Sequence, residues 1–379
     1  MKSGHVFILA AKRLPQGRYG GSLAGEGAVK LGQHCVRGLM EGTAWPTPSR
    51  CIWGMARSHT QGMNPGRTIA LGAGLPVEVP ATTVNMACGS SLQALIYGAL
   101  ALQNGDEGPV LAGGSEAMSD TPHLLPGLRW GYGMGHQALP DVMHQDGLRC
   151  PTTGLLMGET IERLAARHGI LREASDTFAL RSHQRASTAD FSDEILIHPK
   201  LAFDECVRAE AAMEDFAKLK PVFSKGGQIT AGNASALSDG AAAVLLGSRP
   251  GAGCPAPLAR ILGWSESAVE PMDMGEAPVP AVRKLLEEHG LATGDIALWE
   301  INEAFAAQVL VCSSQLDLDP GKLNVAGGGV ALGHPIGASG IRIVVTLIHQ
   351  LRKRGGGLGI ATLGIGGGLG LALLLEVPS

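Results

Sequence analysis

Aromatic residues make up only 4% of this 379-residue chain, and charged residues only 17%. So few rings argue against a base-stacking surface for single-stranded nucleic acid. A basic face is missing too. The formal net charge is −4 and the longest Lys/Arg run is the triplet Arg352-Lys353-Arg354, so no nucleic-acid partner is expected. The seven cysteines (35, 51, 88, 150, 206, 254 and 312) form no CxxC pair. That scatter fits a reducing compartment and gives no framework for a metal. The first apolar stretch, Val6–Ala11, is too short for a signal peptide or a membrane span, and Val377-Pro378-Ser379 is not a peroxisomal address. The expectation is a cytoplasmic protein with no membrane partner.

Glycine is plentiful. Its 55 copies are roughly twice the usual share, and they follow no period, which sets collagen and low-complexity readings aside. They gather where strands meet helices, at points where the backbone turns tightly or approaches a ligand. With 45% hydrophobic residues the chain is globular, and its length suits about two domains.

Apolar runs of strand length alternate with amphipathic stretches of helix length, which predicts a layered α/β fold. Strands are expected at Val6–Ala11, Thr82–Met86, Pro109–Gly113, Trp299–Asn302, Leu323–Ala326, Leu358–Leu363 and Leu371–Glu376, with a tight turn at Gly364–Gly370. Helices are expected near Gly27–Gly42, Gly89–Asn104, Glu303–Leu316 and Ser339–Arg354. A glycine turn, a long helix and an apolar return strand occur near residue 88 and again near residue 334, which suggests two similar halves. The first half takes residues 1–114 and 236–250, and the second takes 256–379. Between them 115–235, rich in polar residues, Met and Pro, reads as an inserted loop domain, and 249–258 as a linker.

Three constellations carry chemistry. In Val84-Asn85-Met86-Ala87-Cys88-Gly89-Ser90-Ser91, a cysteine lies between an apolar strand and a helix start. Unpaired N–H groups and the helix dipole there favour a thiolate of lowered pKa, although a buried structural cysteine is the plainer alternative. In Gly327–Gly340, His334 sits between glycines and a proline, a place for an imidazole that faces a backbone-lined pocket and can serve as base and as donor to a substrate oxygen. At Asn302-Glu303-Ala304-Phe305 the amide either fixes a water or an imidazole, or simply caps the following helix. Glu303 either complements the helix dipole or joins a polar network. Cys, His and Asn together suit acyl transfer.

In this order and spacing the three motifs resemble those of the thiolases. Asn64–Arg67, Gly113–His123, Met157-Gly158 and Leu219–Leu246 resemble thiolase segments as well, so the likeness spans nearly the whole chain. It implies a five-layered αβαβα fold of two duplicated halves with an inserted loop domain. It also implies coenzyme A thioesters as substrates, no tightly bound cofactor, and a homodimer or homotetramer. By resemblance Cys88 takes the acyl group, His334 activates it, and Asn302 holds a water that forms one oxyanion hole with His334. The N–H groups of Cys88 and Gly366 form the other, while Ser235 contacts the pantetheine arm and Met157 lines the substrate site. Lys218 and Lys220 are candidates for the coenzyme A phosphates, and Arg129 and Trp130 for the substrate, with solvated surface the commoner fate of each.

One position departs from the pattern. Where thiolases carry a second, acid/base cysteine before an Ile-Gly-Gly-Gly run, this chain has Gly364. Leu156 also stands where many acetyl-CoA thiolases have histidine. General-base catalysis contributes roughly 10²–10⁴-fold, so the expectation is an acyltransferase that loads Cys88 and passes the acyl group to a carbon nucleophile with classical thiolysis weakened. The alternatives are a conventional acetyl-CoA C-acyltransferase using another base, a non-catalytic subunit acting with a partner protein, and a simple cysteine hydrolase.

Overall fold

The computed structural model describes residues 5–248 and 254–379, so half of the expected linker, residues 249–253, lies outside them. The first half carries β1 (Val6–Arg13), β2 (Gly17–Arg18), α1 (Ala28–Met40), β3 (Arg50–Gly54), α2 (Pro65–Gly72), β4 (Ala81–Val84), α3 (Ser90–Gln103) and β5 (Val110–Ala117). Three helices follow, α4 (Met157–Arg167), α5 (Arg172–Thr188) and the short α6 (Met213–Ala217), before β6 (Ser238–Gly247) returns to the sheet. The second half runs β7 (Ala259–Ala268), α7 (Pro278–His289), β8 (Leu298–Ile301), α8 (Ala306–Gln315), the single turn α9 (Gly329–Leu332), α10 (Ser339–Arg352), β9 (Gly357–Ile365) and β10 (Leu369–Val377).

The strands order as β4-β3-β5-β6-β1-β7-β10-β9-β8, with β2 added on β6. The halves meet where β1 pairs with β7 over three residues, Val6 to Ile261 through Ile8 to Ala259. Each strand set is covered on both faces, which explains why its sequences read as continuous apolar runs. Along β6, Ala242, Val244 and Leu246 enter a central core, while Ala241, Ala243 and Leu245 enter an outer one beneath α1. Along β10, Leu371, Leu373 and Leu375 face the central core, and Ala372 and Leu374 face α7 and α8. That period of two across three cores gives five layers: α1 with α2, the first strand set, α3 with α10, the second strand set, and α7 with α8.

The middle layer positions the chemistry. Residues 339–351 of α10 are all buried, and its start is held against the start of α3, where Ile341 N donates to Ser91 Oγ at 3.0 Å. Gly340 makes that approach possible, since a Cβ there would meet Leu92 N at 2.6 Å. The inserted helical region is tied down through Arg13 of β1. Its guanidinium is buried and pairs with Glu194 at 2.6 Å and Asp204 at 2.7 Å.

Three expectations change. The proposed strand Leu323–Ala326 is a loop with a single bridge from Leu323 to Trp299, because Asn324 adopts a positive φ of 46° and breaks the extended run. The glycine turn is narrower than Gly364–Gly370: Gly364 pairs with Gly370 inside the β9–β10 ladder, leaving only Gly366–Gly368 to reverse the chain. The expected start of the insert at residue 115 falls within β5, all eight residues of which are buried.

Gly340→Ala should lower stability by about 1–3 kcal/mol through overpacking between α3 and α10. Denaturant unfolding measures this, and an unchanged midpoint would contradict the close approach.

Candidate active site

Cys88 stands on a strained elbow between β4 and α3. Ala87 has φ 45°, which is costly for a residue with a Cβ. The strain is held by a local network: Met86 N donates to Ser90 Oγ at 2.9 Å, Ser90 Oγ donates to Ala87 O at 2.7 Å, and Ala87 N donates to Asn85 Oδ1 at 3.0 Å. Asn85 Nδ2 in turn reaches Ala56 O at 3.0 Å. Cys88 is half-buried and packs against the apolar cluster of Met118, Met143 and Ile336, which Ala56 and Leu148 also join. The Gly366 N–H and the N–H of Cys88 itself favour negative charge on the sulfur.

The expected low thiol pKa is not what this environment gives. Burial pushes the Cys88 thiol up, and the Gly366 N–H, the Arg57 charge and its own N–H offset only part of that. The helix start is present, but desolvation outweighs it. At rest this is a neutral thiol.

His334 is buried in the loop before α10, and its N–H donates to Ala236 O at 3.0 Å. Ser339 Oγ spends its single proton on Pro335 O at 2.9 Å, so toward the imidazole it can only accept. The Nδ1 of His334, 2.5 Å away, therefore carries the ring proton, and Nε2 presents its lone pair. Asn302 Nδ2 faces that Nε2 at 3.5 Å. Burial, helped by Arg342 and Arg57, lowers the imidazole to about 3, so it is neutral at pH 7.

Asn302 does not cap α8, whose first residue is Ala306 with Phe305 before it. Its Oδ1 is buried and meets no protein donor. Glu303 likewise lies ahead of the helix and serves the polar network. It accepts from Ser182 Oγ at 2.7 Å, Asn324 Nδ2 at 2.8 Å and Val330 N at 3.1 Å, fixing the glycine turn that leads to His334.

Sequence reasoning passed over three residues. Ser339, five positions after His334, was legible as a helix-start hydroxyl. Glu116 lies buried in β5 and accepts from Ala56 N at 3.1 Å, Arg57 N at 3.1 Å and Gly337 N at 2.9 Å. Burial raises it to about 7. Arg57, only 5% exposed, sends its charge toward Cys88, His334 and Glu116. No sequence signal marks either of the last two.

Of the other expected residues, Met157 is brought in: its sulfur lies 3.5 Å from where a Gly366 Cβ would stand. Ser235 is half-buried on the loop entering β6, its N–H donating to Ala304 O at 2.9 Å. Arg129, Trp130, Lys218 and Lys220 are exposed, and Lys218 pairs with Asp215 at 3.2 Å. Gly364 faces the carbonyl of Met274, which a Cβ at 364 would meet at 2.6 Å. Main chain fills the space that a side chain there would need. Among the described residues no group of three or more His, Cys, Asp or Glu could hold a metal, and no helix is long and apolar enough to cross a membrane.

Iodoacetamide should alkylate Cys88 faster as pH rises, because the thiol titrates above its ordinary value. Peptide mapping between about pH 6 and about pH 9 reads this directly. A rate flat across neutrality would mean a preformed thiolate–imidazolium pair.

Comparison with known proteins places the geometry in context. Residues 6–250 match the family description "Thiolase, N-terminal domain", and residues 255–377 match "Thiolase, C-terminal domain". An acetyl-CoA acetyltransferase of Chromobacterium violaceum is 46% identical over 98% of this chain and 100% of its own. One from Pseudomonas aeruginosa is also 46% identical, over 98% of each chain. Among solved structures, a thiolase from Ascaris suum in complex with coenzyme A superposes with a TM-score of 0.94 at 37% identity, covering 98% of this chain and 100% of that one. The Bacillus anthracis acetyl-CoA acetyltransferase gives 0.94 at 42% identity, covering both chains fully.

Proposed function

Since the chain belongs to the thiolase family, we propose that it is a C-acyltransferase that carries an acyl group on Cys88 and exchanges it between coenzyme A and a carbon nucleophile. The observation that carries this reading is Cys88 on a strained elbow at the start of α3, where the Gly366 N–H and its own N–H favour a negative sulfur. Two backbone donors there suit the oxyanion that forms when the sulfur attacks a thioester carbonyl. The Nε2 lone pair of His334 takes the thiol proton as the S–C bond forms. It returns that proton to the departing coenzyme A sulfur as the tetrahedral adduct collapses to acyl-Cys88. Asn302 Oδ1, lacking a protein donor, is suited to hold a water for a second oxyanion hole beside His334.

The second half-reaction needs a base at the α-carbon of an incoming acyl-CoA. Gly364 offers none, and our reading gives that step to the imidazole, neutral again once coenzyme A has left. The names of the relatives support this conventional thiolase chemistry with another base over a modified Claisen reaction or a non-catalytic subunit. Met157 beside Gly366 and Ser235 before β6 are assigned to the coenzyme A side of the cleft. A homo-oligomer and a cytoplasmic location belong to the same proposal.

Incubation with acyl-CoAs should add one acyl mass to Cys88, and Cys88→Ala should abolish the adduct while leaving the unfolding midpoint unchanged. No adduct with any chain length would end the acyltransferase reading. Gly364→Cys should cost about 1–3 kcal/mol of stability, because the Met274 carbonyl must move, and should bring little gain in acetoacetyl-CoA thiolysis. A faster and equally stable variant would show that the lost cysteine limits this enzyme.

A further inference from the structure

Arg342 of α10 and Glu300 of β8 are both buried and face one another, Nη1 to Oε2, at 3.6 Å. Burying two charges costs more than their attraction returns unless the surroundings satisfy them. Here they do not: no guanidinium nitrogen of Arg342 and neither oxygen of Glu300 has a hydrogen-bond partner. The other charges that bear on both are Glu303, Glu194 and Arg13. Those are committed elsewhere, Glu303 to Ser182, Asn324 and Val330, and Arg13 to Glu194 and Asp204. Each member of the pair is left with the other as its counter-charge.

The pair stands directly behind His334. Along β8, Leu298 enters the central core while Trp299 and Ile301 enter the outer one, so the alternation turns Glu300 and Asn302 to the central side together. Strand pairing still holds at Asn302, whose N–H donates to Thr362 O at 3.0 Å. On α10, Arg342 lies three residues after Ser339 on the same face, and a long helical side chain leans back toward the helix start. Ser339 Oγ is 2.5 Å from His334 Nδ1, and Asn302 Nδ2 is 3.5 Å from His334 Nε2. His334, Ser339, Arg342, Glu300 and Asn302 thus close a ring. The imidazole registers the cation in it, for Arg342 adds to the burial that lowers His334.

We infer that Glu300 is a positioning residue for Cys88 acylation: its carboxylate offsets the Arg342 charge behind His334, so that the imidazole can accept the thiol proton. This rests on the acyl-Cys88 reading above, in which His334 is that acceptor, and deepens it. An imidazole that must become cationic as the sulfur attacks is disfavoured by a bare cation behind it. A carboxylate paired with that cation removes most of the penalty. Burial raises the Glu300 carboxyl and Arg342 pulls it back, so its negative charge is most complete toward alkaline pH.

Single-turnover acylation of Cys88 by acetyl-CoA, followed by mass spectrometry from about pH 7 to about pH 9, tests this. Glu300→Gln removes the carboxylate charge with little change of shape. It should slow loading roughly ten- to a hundredfold, most at the alkaline end, the effect of one uncompensated charge about a helical turn away at an effective dielectric of about 20. The acetyl-CoA concentration for half-maximal loading should not move. Adding Arg342→Met should restore loading to within about threefold of wild type, since a buried pair replaced whole is tolerated where a broken one is not. Wild-type loading by folded Glu300→Gln overturns the inference, and so does a folded double variant that loads no faster than the single one. Should Glu300→Gln fail to fold, Glu300→Asp takes its place. It keeps the charge but draws it back from Arg342, so a smaller slowing of the same sign is expected and wild-type loading again overturns the inference. Failure of the wild-type protein to load Cys88 would instead sink the acyltransferase reading itself.

Discussion

The site depends on one buried carboxylate. Glu116 of β5 accepts N–H groups from Ala56 and Arg57 on one side and from Gly337 on the other. It therefore clamps the segment beside Cys88 to the loop that carries His334, joining parts of the chain more than two hundred residues apart. Gly114, two residues earlier on the same strand, leaves room for the Gly337 carbonyl to lie against it. Removing the carboxylate would strand three buried donors at once, each with its own desolvation cost.

Around that clamp the thiol and the imidazole are both held neutral. Burial raises the thiol and lowers the imidazole, so neither is charged before substrate arrives. The hydroxyl of Ser339 fixes which ring nitrogen is basic, because its only proton is committed to Pro335 O. In the mechanism proposed above, attack creates charge beside backbone N–H groups that are already fixed, and little has to reorganise. The strain at Ala87 belongs to the same arrangement, held by the hydrogen bonds of Asn85 and Ser90 around the elbow.

Gly364 illustrates how a missing side chain becomes part of the backbone. The Met274 carbonyl occupies the neighbourhood a Cβ would need, so the position is packed as glycine.

Much of this was legible in the sequence, because strong local patterns have strong local causes. Apolar runs with both faces covered became strands, the glycine-flanked His334 became a buried residue facing Asn302, and Cys88 between an apolar run and a helix start became an elbow. Element ends shifted where one residue decides, as at Asn324 with its positive φ. The sequence by itself determined the layered fold and marked Cys88, His334 and Asn302 as candidates, since periodicity and motif spacing are properties of neighbouring residues. Only the tertiary structure decided the protonation states, the tautomer of His334 and the partnerless guanidinium of Arg57. Those depend on desolvation and on hydrogen-bond partners brought from distant segments, which no local pattern records.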